Sequence, residues 1–203
     1  MSSFDNLARE WDKDMMHMER SVAIAAALES MVSLTPSLKA MEFGAGTGIL
    51  SFLLKDKLKE VTLIDNSCEM IKVCEEKIAW HKATHFKALC VDLEHVDHKQ
   101  KYDLIYSQMV LHHVVDVESM LKKFLTLLNP GGTLAIADLY TEDGSFHGPE
   151  VKVHWGFDPG HLKRTASGIG FRDIEFKTCF EMKRESGRIY PIFLLVAKKL
   201  LFI

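Results

Sequence analysis

Gly44, Gly46 and Gly48 stand at alternate positions directly after the apolar run Ala40–Phe43. Glycine at a strand-to-helix bend lets the backbone turn tightly and come close to a ligand with no side chain between them. Asp65 closes a second apolar run, VTLI, 21 residues after Gly44. A carboxylate at about that distance can accept two hydrogen bonds from ribose hydroxyls, so the two features together describe a cradle for an adenosine-type ligand. Each has a plainer alternative. A tight turn needs glycine for its own geometry, and Asp65 could cap a helix beginning near Ser67. The glycine spacing departs by one residue from the G-x-G-x-x-G loop that aims a helix N-terminus at a pyrophosphate. Glu42 beside the loop suits a cationic ligand better, and no patch of Arg or Lys follows Asp65 to receive a phosphorylated ribose.

Ten histidines raise the question of a metal or a general base. His81 and His85 share i, i+4 spacing, His95 and His98 share i, i+3, and His112 and His113 are adjacent. None joins an H-E-x-x-H or a cysteine pair, so no metal site is expected. His147 and His154 lie in an irregular stretch, 141–160, where a neutral imidazole could take a proton from a hydroxyl, an amine or an acidic carbon. Solvated loop histidines are the bland alternative for both. Phe146, Trp155 and Phe157, interleaved with them, would supply apolar walls.

The elements that must position these residues follow from hydropathy. An alanine-rich segment, Met18–Leu34, has apolar residues at helical spacing with Pro36 just beyond. Short apolar runs then alternate with amphipathic stretches: AMEFG, ILSFLLKDKL, VTLID, CEMIKVCEEKIAW and FKALCVD. That alternation marks β-α-β units and a parallel sheet. A fourth strand, YDLIYSQ over 102–108, leads to the helical VESMLKKFLTLL, the stop signal Asn129-Pro130-Gly131-Gly132 and a fifth strand, TLAIADL. After the irregular stretch come a short helix around His161–Ser167, a turn at Gly168-Ile169-Gly170, and the strands FRDIEFKTCF and IYPIFLLVAKK, whose spacing predicts a hairpin.

A chain of 203 residues with 47% hydrophobic content falls near the size of one domain, and no linker or repeat divides it. The expected layout over 1–203 is N-terminal helices to residue 35, a ligand-binding half over 36–140, and an acceptor-side loop with a terminal hairpin over 141–203. The formal charge is −3, without the basic run a nucleic-acid binder needs. No apolar stretch reaches the roughly 20 residues of a bilayer span, and the charged start does not read as a secretory signal. Cysteines at 68, 74, 90 and 179 form no C-x-x-C and are expected to be four reduced thiols in a cytoplasmic protein. The apolar end, Leu200–Ile203, could extend the last strand, join two copies of the chain, or touch a lipid substrate.

The series MEFGAGTG, VTLIDNSCEM, CVDL, YDLIYSQMVLHHV and LLNPGGTLAIADL, in order from about residue 38 to 139, resembles the successive motifs of class I S-adenosylmethionine-dependent methyltransferases, especially their quinone-biosynthesis-like branch. The resemblance implies a Rossmann-like α/β fold: a doubly wound, mostly parallel seven-stranded sheet with a C-terminal antiparallel hairpin strand, helices on both faces and an N-terminal helical lid. It implies S-adenosylmethionine as cofactor, S-adenosylhomocysteine as product and a small-molecule acceptor, with the chain a monomer or homodimer. Residue by residue, Gly44, Ala45 and Gly46 would pass beneath the methionine part and ribose, with Glu42 ordering the loop and Gly48 completing the bend. Asp65 would hold the ribose, Asn66 and Met70 would border the adenine, Asp92 would meet its amino group and Leu93 would cover its face. Ser107 and Gln108 would lie near the methionine moiety. The segment Phe4–Asp12 resembles the family's F-D-x-x-A-x-x-W/Y, making Trp11 the candidate shield over the sulfonium, although Phe4, Leu7 and Trp11 also form an apolar stripe that could be core. His112 and His113 would shape the pocket wall, with a base role at His113 as an alternative beside His147 and His154. A nicotinamide oxidoreductase and a non-catalytic binder of adenosine nucleosides remain the competing readings, since a fold does not fix a function.

Overall fold

Hydrophobic periodicity decides the architecture. The computed structural model describes residues 4–147 and 151–201. In chain order it contains α1 (Met15–Met31), β1 (Lys39–Phe43), α2 (Ile49–Leu53), β2 (Glu60–Asp65), α3 (Cys68–His81), β3 (Phe86–Cys90), β4 (Tyr102–Gln108), α4 (Val117–Leu127), β5 (Leu128–Leu139), α5 (Pro159–Ile169), β6 (Phe171–Lys183) and β7 (Ile189–Lys199). The seven strands form one sheet in the order β3-β2-β1-β4-β5-β7-β6. β1 pairs in parallel with β2 and β4, as do β2 with β3 and β4 with β5, while β7 runs antiparallel to both β5 and β6.

Strands covered on both faces read as nearly continuous apolar runs. Successive residues point to opposite faces, so each strand feeds two cores. Leu104 and Tyr106 of β4, Ala135 and Ala137 of β5, and Leu194 and Val196 of β7 face the core built with Ile24 and Leu28 of α1 and Leu50 of α2. Ile105, Leu134, Ile136, Phe193 and Leu195 face the other, against Phe124 and Leu121 of α4 and Leu162 and Ala166 of α5. The expected doubly wound sheet with helices on both faces is the fold observed.

Several boundaries differ from expectation for local reasons. α1 begins three residues earlier, at Met15, because the Asp14 side chain accepts a hydrogen bond from Met16 N–H and caps it. The helix expected from Ile49 into Leu58 stops at Leu53 and gives way to a 3-10 turn over Lys55–Lys57. The Asn129–Gly132 stop signal lies inside β5: pairing with β4 begins at Tyr102↔Leu128 and resumes, after a register shift, at Leu104↔Thr133. β7 ends at Lys199, so Leu200 and Leu201 do not extend it, and Phe202 and Ile203 lie outside the described residues.

The cysteine expectation is overturned. Cys68 and Cys90 form a disulfide with Cα atoms 5.0 Å apart, leaving Cys74 and Cys179 free. The reason is tertiary. β2 and β3 are in register with Asp65 beside Cys90, and α3 begins directly after β2, which carries Cys68 to the end of the neighbouring strand. No helix among the described residues is long and apolar enough to cross a membrane.

Candidate functional site

The strand order turns back between β1 and β4, and in open α/β sheets ligands bind outside the carboxyl ends of strands at such a switch point. A cavity of about 220 Å³ opens there. Its floor comes from the residues that leave β1, β2, β3 and β4: Phe43–Gly46, Asp65 and Asn66, Val91–Glu94, and Gln108–Val110.

The glycine loop is shaped by positive φ angles, +66° at Gly44 and +54° at Gly46. A Cβ on Gly44 would sit 2.3 Å from a Val110 methyl carbon, so the turn tolerates no side chain. Met109, the residue after β4, also adopts a left-handed conformation, φ 56°, an uncommon state for a residue with a side chain. Asp65 holds this loop to α3: Oδ2 accepts from Gly46 N–H at 2.7 Å and Oδ1 accepts from Ser67 N–H at 2.8 Å. Ser67, not Asp65, is the N-cap of α3. Burial raises the Asp65 carboxyl above its ordinary range, against the N–H donors of Ser67 and Gly46 that pull it down.

Of the residues assigned to a cofactor from sequence, Trp11, Gly44, Ala45, Gly46, Asp65, Asn66, Met70, Asp92, Leu93 and Gln108 line the cavity. Three do not. Glu42 is fully buried behind the loop, where its Oε2 accepts from Ser51 Oγ at 2.5 Å and its Oε1 has no partner among the described residues. Gly48, φ +79°, opens α2 and packs against Cys74 and Leu63. Ser107 is buried, its Oγ without a partner among the described residues, pointed away by the strand alternation that turns Gln108 toward Ser21 of α1.

Burial pushes the Glu42 carboxyl up to about 8, with the Ser51 hydrogen bond acting against it. The folded chain therefore keeps this proton between the ordinary value of 4.5 and about 8, a window in which the unfolded chain has released it. Stability from this group is full below 4.5 and is lost as pH rises through 8, at up to about 1.4 kcal/mol per pH unit. Glu42→Gln is expected to flatten the fall in melting temperature between about pH 5 and 8. Parallel pH curves for variant and parent would place that proton elsewhere.

The N-terminal segment crosses the cavity. Trp11 stacks on the His17 ring, with centroids 3.9 Å apart, and lies 3.9 Å from where a Cβ on Gly46 would be. Asp12 accepts from Thr47 Oγ1 and Asp5 accepts from Ser67 Oγ, fastening the segment to the glycine loop and to α3.

Three imidazoles meet in the lining of the same cavity. His112 is buried in the turn after β4; its Nδ1 donates to Asp138 Oδ1 at 2.7 Å, and Asp138 also accepts from the His112 and Leu139 N–H groups. His147 Nε2 is 2.9 Å from His112 Nε2, and the His113 ring lies 4.3 Å from that of His112. Burial, with its two histidine neighbours, pushes His113 down to about 3; burial and His112 push His147 down to about 4. Both rings are neutral at physiological pH.

His154 does not reach the cavity. Its Nε2 bonds the Val114 carbonyl at 3.0 Å and its backbone N–H donates to the His112 carbonyl, so it ties the 141–160 stretch to the histidine turn. Trp155 is exposed beside Gly144 and Phe157 joins the α4/α5 core; of the three aromatics only Phe146 lines the cavity. Gly148–Glu150 lie outside the described residues.

Sequence reasoning missed two arginines. Arg20 of α1 is 7% exposed, its Nε lacks a hydrogen-bond partner among the described residues, and it lines the cavity with Gln108 and His17. Burial, then the charge of Arg184, lowers it to about 10. Arg184, from the β6–β7 turn, lies over the Phe146 ring, 4.5 Å from its centroid. The readable sign at Arg20 was its i, i+4 and i, i+8 spacing from Ile24 and Leu28, which places a charge on the buried stripe of α1. Arg184 carried no comparable signal.

Residues 34–193 match the family model described as a methyltransferase domain. Over 136 residues the chain is 29% identical to an uncharacterised methyltransferase of Schizosaccharomyces pombe, covering 59% of this chain and 48% of that protein. The chain thus spans about half the length of that curated relative. Among solved structures it superposes on a chain from the complex of the Haloferax volcanii Trm112 methyltransferase activator with a methyltransferase, at TM-score 0.81, 16% identity, and 98% and 99% coverage. It also superposes on a Haemonchus contortus phosphoethanolamine N-methyltransferase bound to phosphomonomethylethanolamine and S-adenosylhomocysteine, at TM-score 0.72 and 14% identity, covering 90% of this chain and 52% of that one.

Proposed function

The chain belongs to the methyltransferase-domain family of the class I, S-adenosylmethionine-dependent type, and from that premise we propose that it transfers a methyl group to a small molecule held at the histidine end of the cavity. One observation carries the reading: one cavity is lined both by the Gly44–Gly46 loop and Asp65 and by His112, His113 and His147. Nucleoside and acceptor would share it, with the reacting atoms between them.

The residues fit S-adenosylmethionine. Backbone at Gly44 and Gly46 would take the ligand at a distance a Cβ on Gly44 forbids. Asp65, with lone pairs left after its two N–H bonds, would accept from the ribose hydroxyls. Asn66 and Met70 would border the adenine, Asp92 would accept from its amino group, and buried Leu93 would lie on its face. The Arg20 guanidinium, whose Nε has no hydrogen-bond partner among the described residues, would receive the carboxylate of the methionine part. Trp11 would exclude water.

The cofactor supplies a methyl group on a positively charged sulfur, already activated for displacement. The protein's part is alignment, for which proximity contributes roughly 7–11 kcal/mol. Neutral His113 and His147 would offer lone pairs to the acceptor side, His147 being held through His112 and Asp138. S-adenosylhomocysteine is expected to raise the melting temperature while NAD and NADP do not, and S-adenosylhomocysteine should accumulate when the chain is given S-adenosylmethionine with small hydroxyl, amine or carbon-acid acceptors. Stabilisation by NAD or NADP alone would return the oxidoreductase reading, and cofactor binding without turnover on any acceptor would leave a nucleoside-binding protein.

A further inference from the structure

We propose that His112, His113 and His147 form a binding site for a divalent transition metal such as Zn²⁺, whose open position faces the acceptor end of the cavity. The proposal rests on the acceptor placement given above for its role, while metal binding itself does not depend on it.

The ligand atoms of the three residues lie within 4.8 Å of one another. A tetrahedral metal bonded to imidazole nitrogens at about 2.0–2.1 Å holds neighbouring ligand atoms roughly 3.3–3.4 Å apart. The His112–His147 edge, at 2.9 Å, opens to that spacing with a shift of a few tenths of an ångström. His113 closes the other two by rotating a ring that is only partly buried.

The tautomer is set for ligation. Because His112 Nδ1 donates to Asp138, the Nε2 lone pair is directed at His147, and a carboxylate behind a histidine is the usual outer-shell arrangement of metal-binding imidazoles. Asp138 is fully buried and also accepts from the backbone N–H of His112, so it orients ring and chain together. Two ligands sit on one 3-10 turn, Leu111–His113, and the third comes from the 141–160 stretch, which His154 clamps to that turn through the His112 carbonyl. Three nitrogen donors with no carboxylate among them match Zn²⁺, Co²⁺ or Ni²⁺, not Mg²⁺ or Ca²⁺, which take oxygen ligands.

A simple hydrogen bond between His147 and His112 explains the 2.9 Å contact equally well. It gives no reason for a third imidazole with its ligand atom within 4.8 Å of both. Arg184, which faces His147, opposes a bare cation, while Asp138 and Glu142 favour one. An oxygen or nitrogen atom of the acceptor would complete the coordination, and Arg184 beside it favours an anionic oxygen.

The test uses the full chain stripped of metal and titrated with Co²⁺, whose visible ligand-field absorption reports four- or five-coordinate nitrogen sites, followed by displacement with Zn²⁺. The expected result is saturation at one equivalent per chain, with affinity lowered about 100-fold or more in His147→Ala and in His113→Gln, and unchanged in His95→Ala, which alters an exposed histidine. Melting curves identify a variant that fails to fold, and the pair of ligand variants keeps the comparison available. S-adenosylhomocysteine calorimetry on the same preparations separates the two readings. Cofactor binding without the Co²⁺ spectrum, or a spectrum unchanged in both ligand variants, overturns the metal site alone. A saturating spectrum lost in those variants, without cofactor binding, upholds the metal site and removes the methyltransferase reading.

Discussion

Asp65→Asn is expected to weaken S-adenosylhomocysteine binding by about 100-fold, which is about 2.7 kcal/mol, while the chain stays folded. The magnitude follows from the two ribose hydroxyls, whose hydrogen bonds to a charged acceptor contribute about 1.5–3 kcal/mol each before compensation by the remaining amide oxygen. Asn is the informative substitution because Asp65 also has a structural duty. Its two oxygens accept separately from Gly46 and Ser67 N–H, so Asp65→Asn keeps an acceptor for one of them and is expected to cost about 1 kcal/mol of stability, whereas Asp65→Ala frees both donors and costs about 2 kcal/mol. Calorimetry should find the two variants equally poor at binding but different in melting temperature. An Asn variant within threefold of the parent affinity would take the ribose away from Asp65 and leave it as a strut between the glycine loop and α3.

That double role shows where sequence and structure part. Strands buried on both faces betray themselves as apolar runs, which is why Tyr102–Gln108 reads the same either way. Local motifs are equally legible: the glycine bend after β1 and the carboxylate ending β2 are neighbours because adjacent parallel strands end side by side. What spacing along the chain does not reveal is convergence. Cys68 and Cys90 meet through the register of β2 and β3. His147 reaches His112 from 35 positions away, held there by backbone bonds from Thr141, Glu142 and His154 that no periodicity announces. Glu42 and Ser107 stand outside the cavity lining for another reason. They belong to the right motifs, but strand alternation turns Ser107 away from the cavity, and burial sets Glu42 behind the loop it was expected to order.

Arg20→Met is expected to stabilise the ligand-free chain and to weaken the cofactor, an opposition that few other roles would produce. A guanidinium 7% exposed has lost most of its hydration, and among the described residues no carboxylate lies within ion-pairing distance of it. Arg184 adds repulsion, and the two together lower its proton affinity to about 10, so it remains charged at neutral pH. Replacing such a group with an apolar side chain of similar length should gain about 1–3 kcal/mol, or a rise of several degrees in melting temperature at roughly 2–4 °C per kcal/mol for a chain of this size. The same change removes the partner of the methionine carboxylate, costing about 2–3 kcal/mol and thus roughly 30- to 100-fold in affinity for S-adenosylhomocysteine. Methylthioadenosine, which keeps the adenosine but has no carboxylate, provides the internal control: it should bind parent and variant alike. If the variant lost both ligands equally, Arg20 would be shaping the cavity and not neutralising an anion; if it melted below the parent, its charge would already be compensated within the protein.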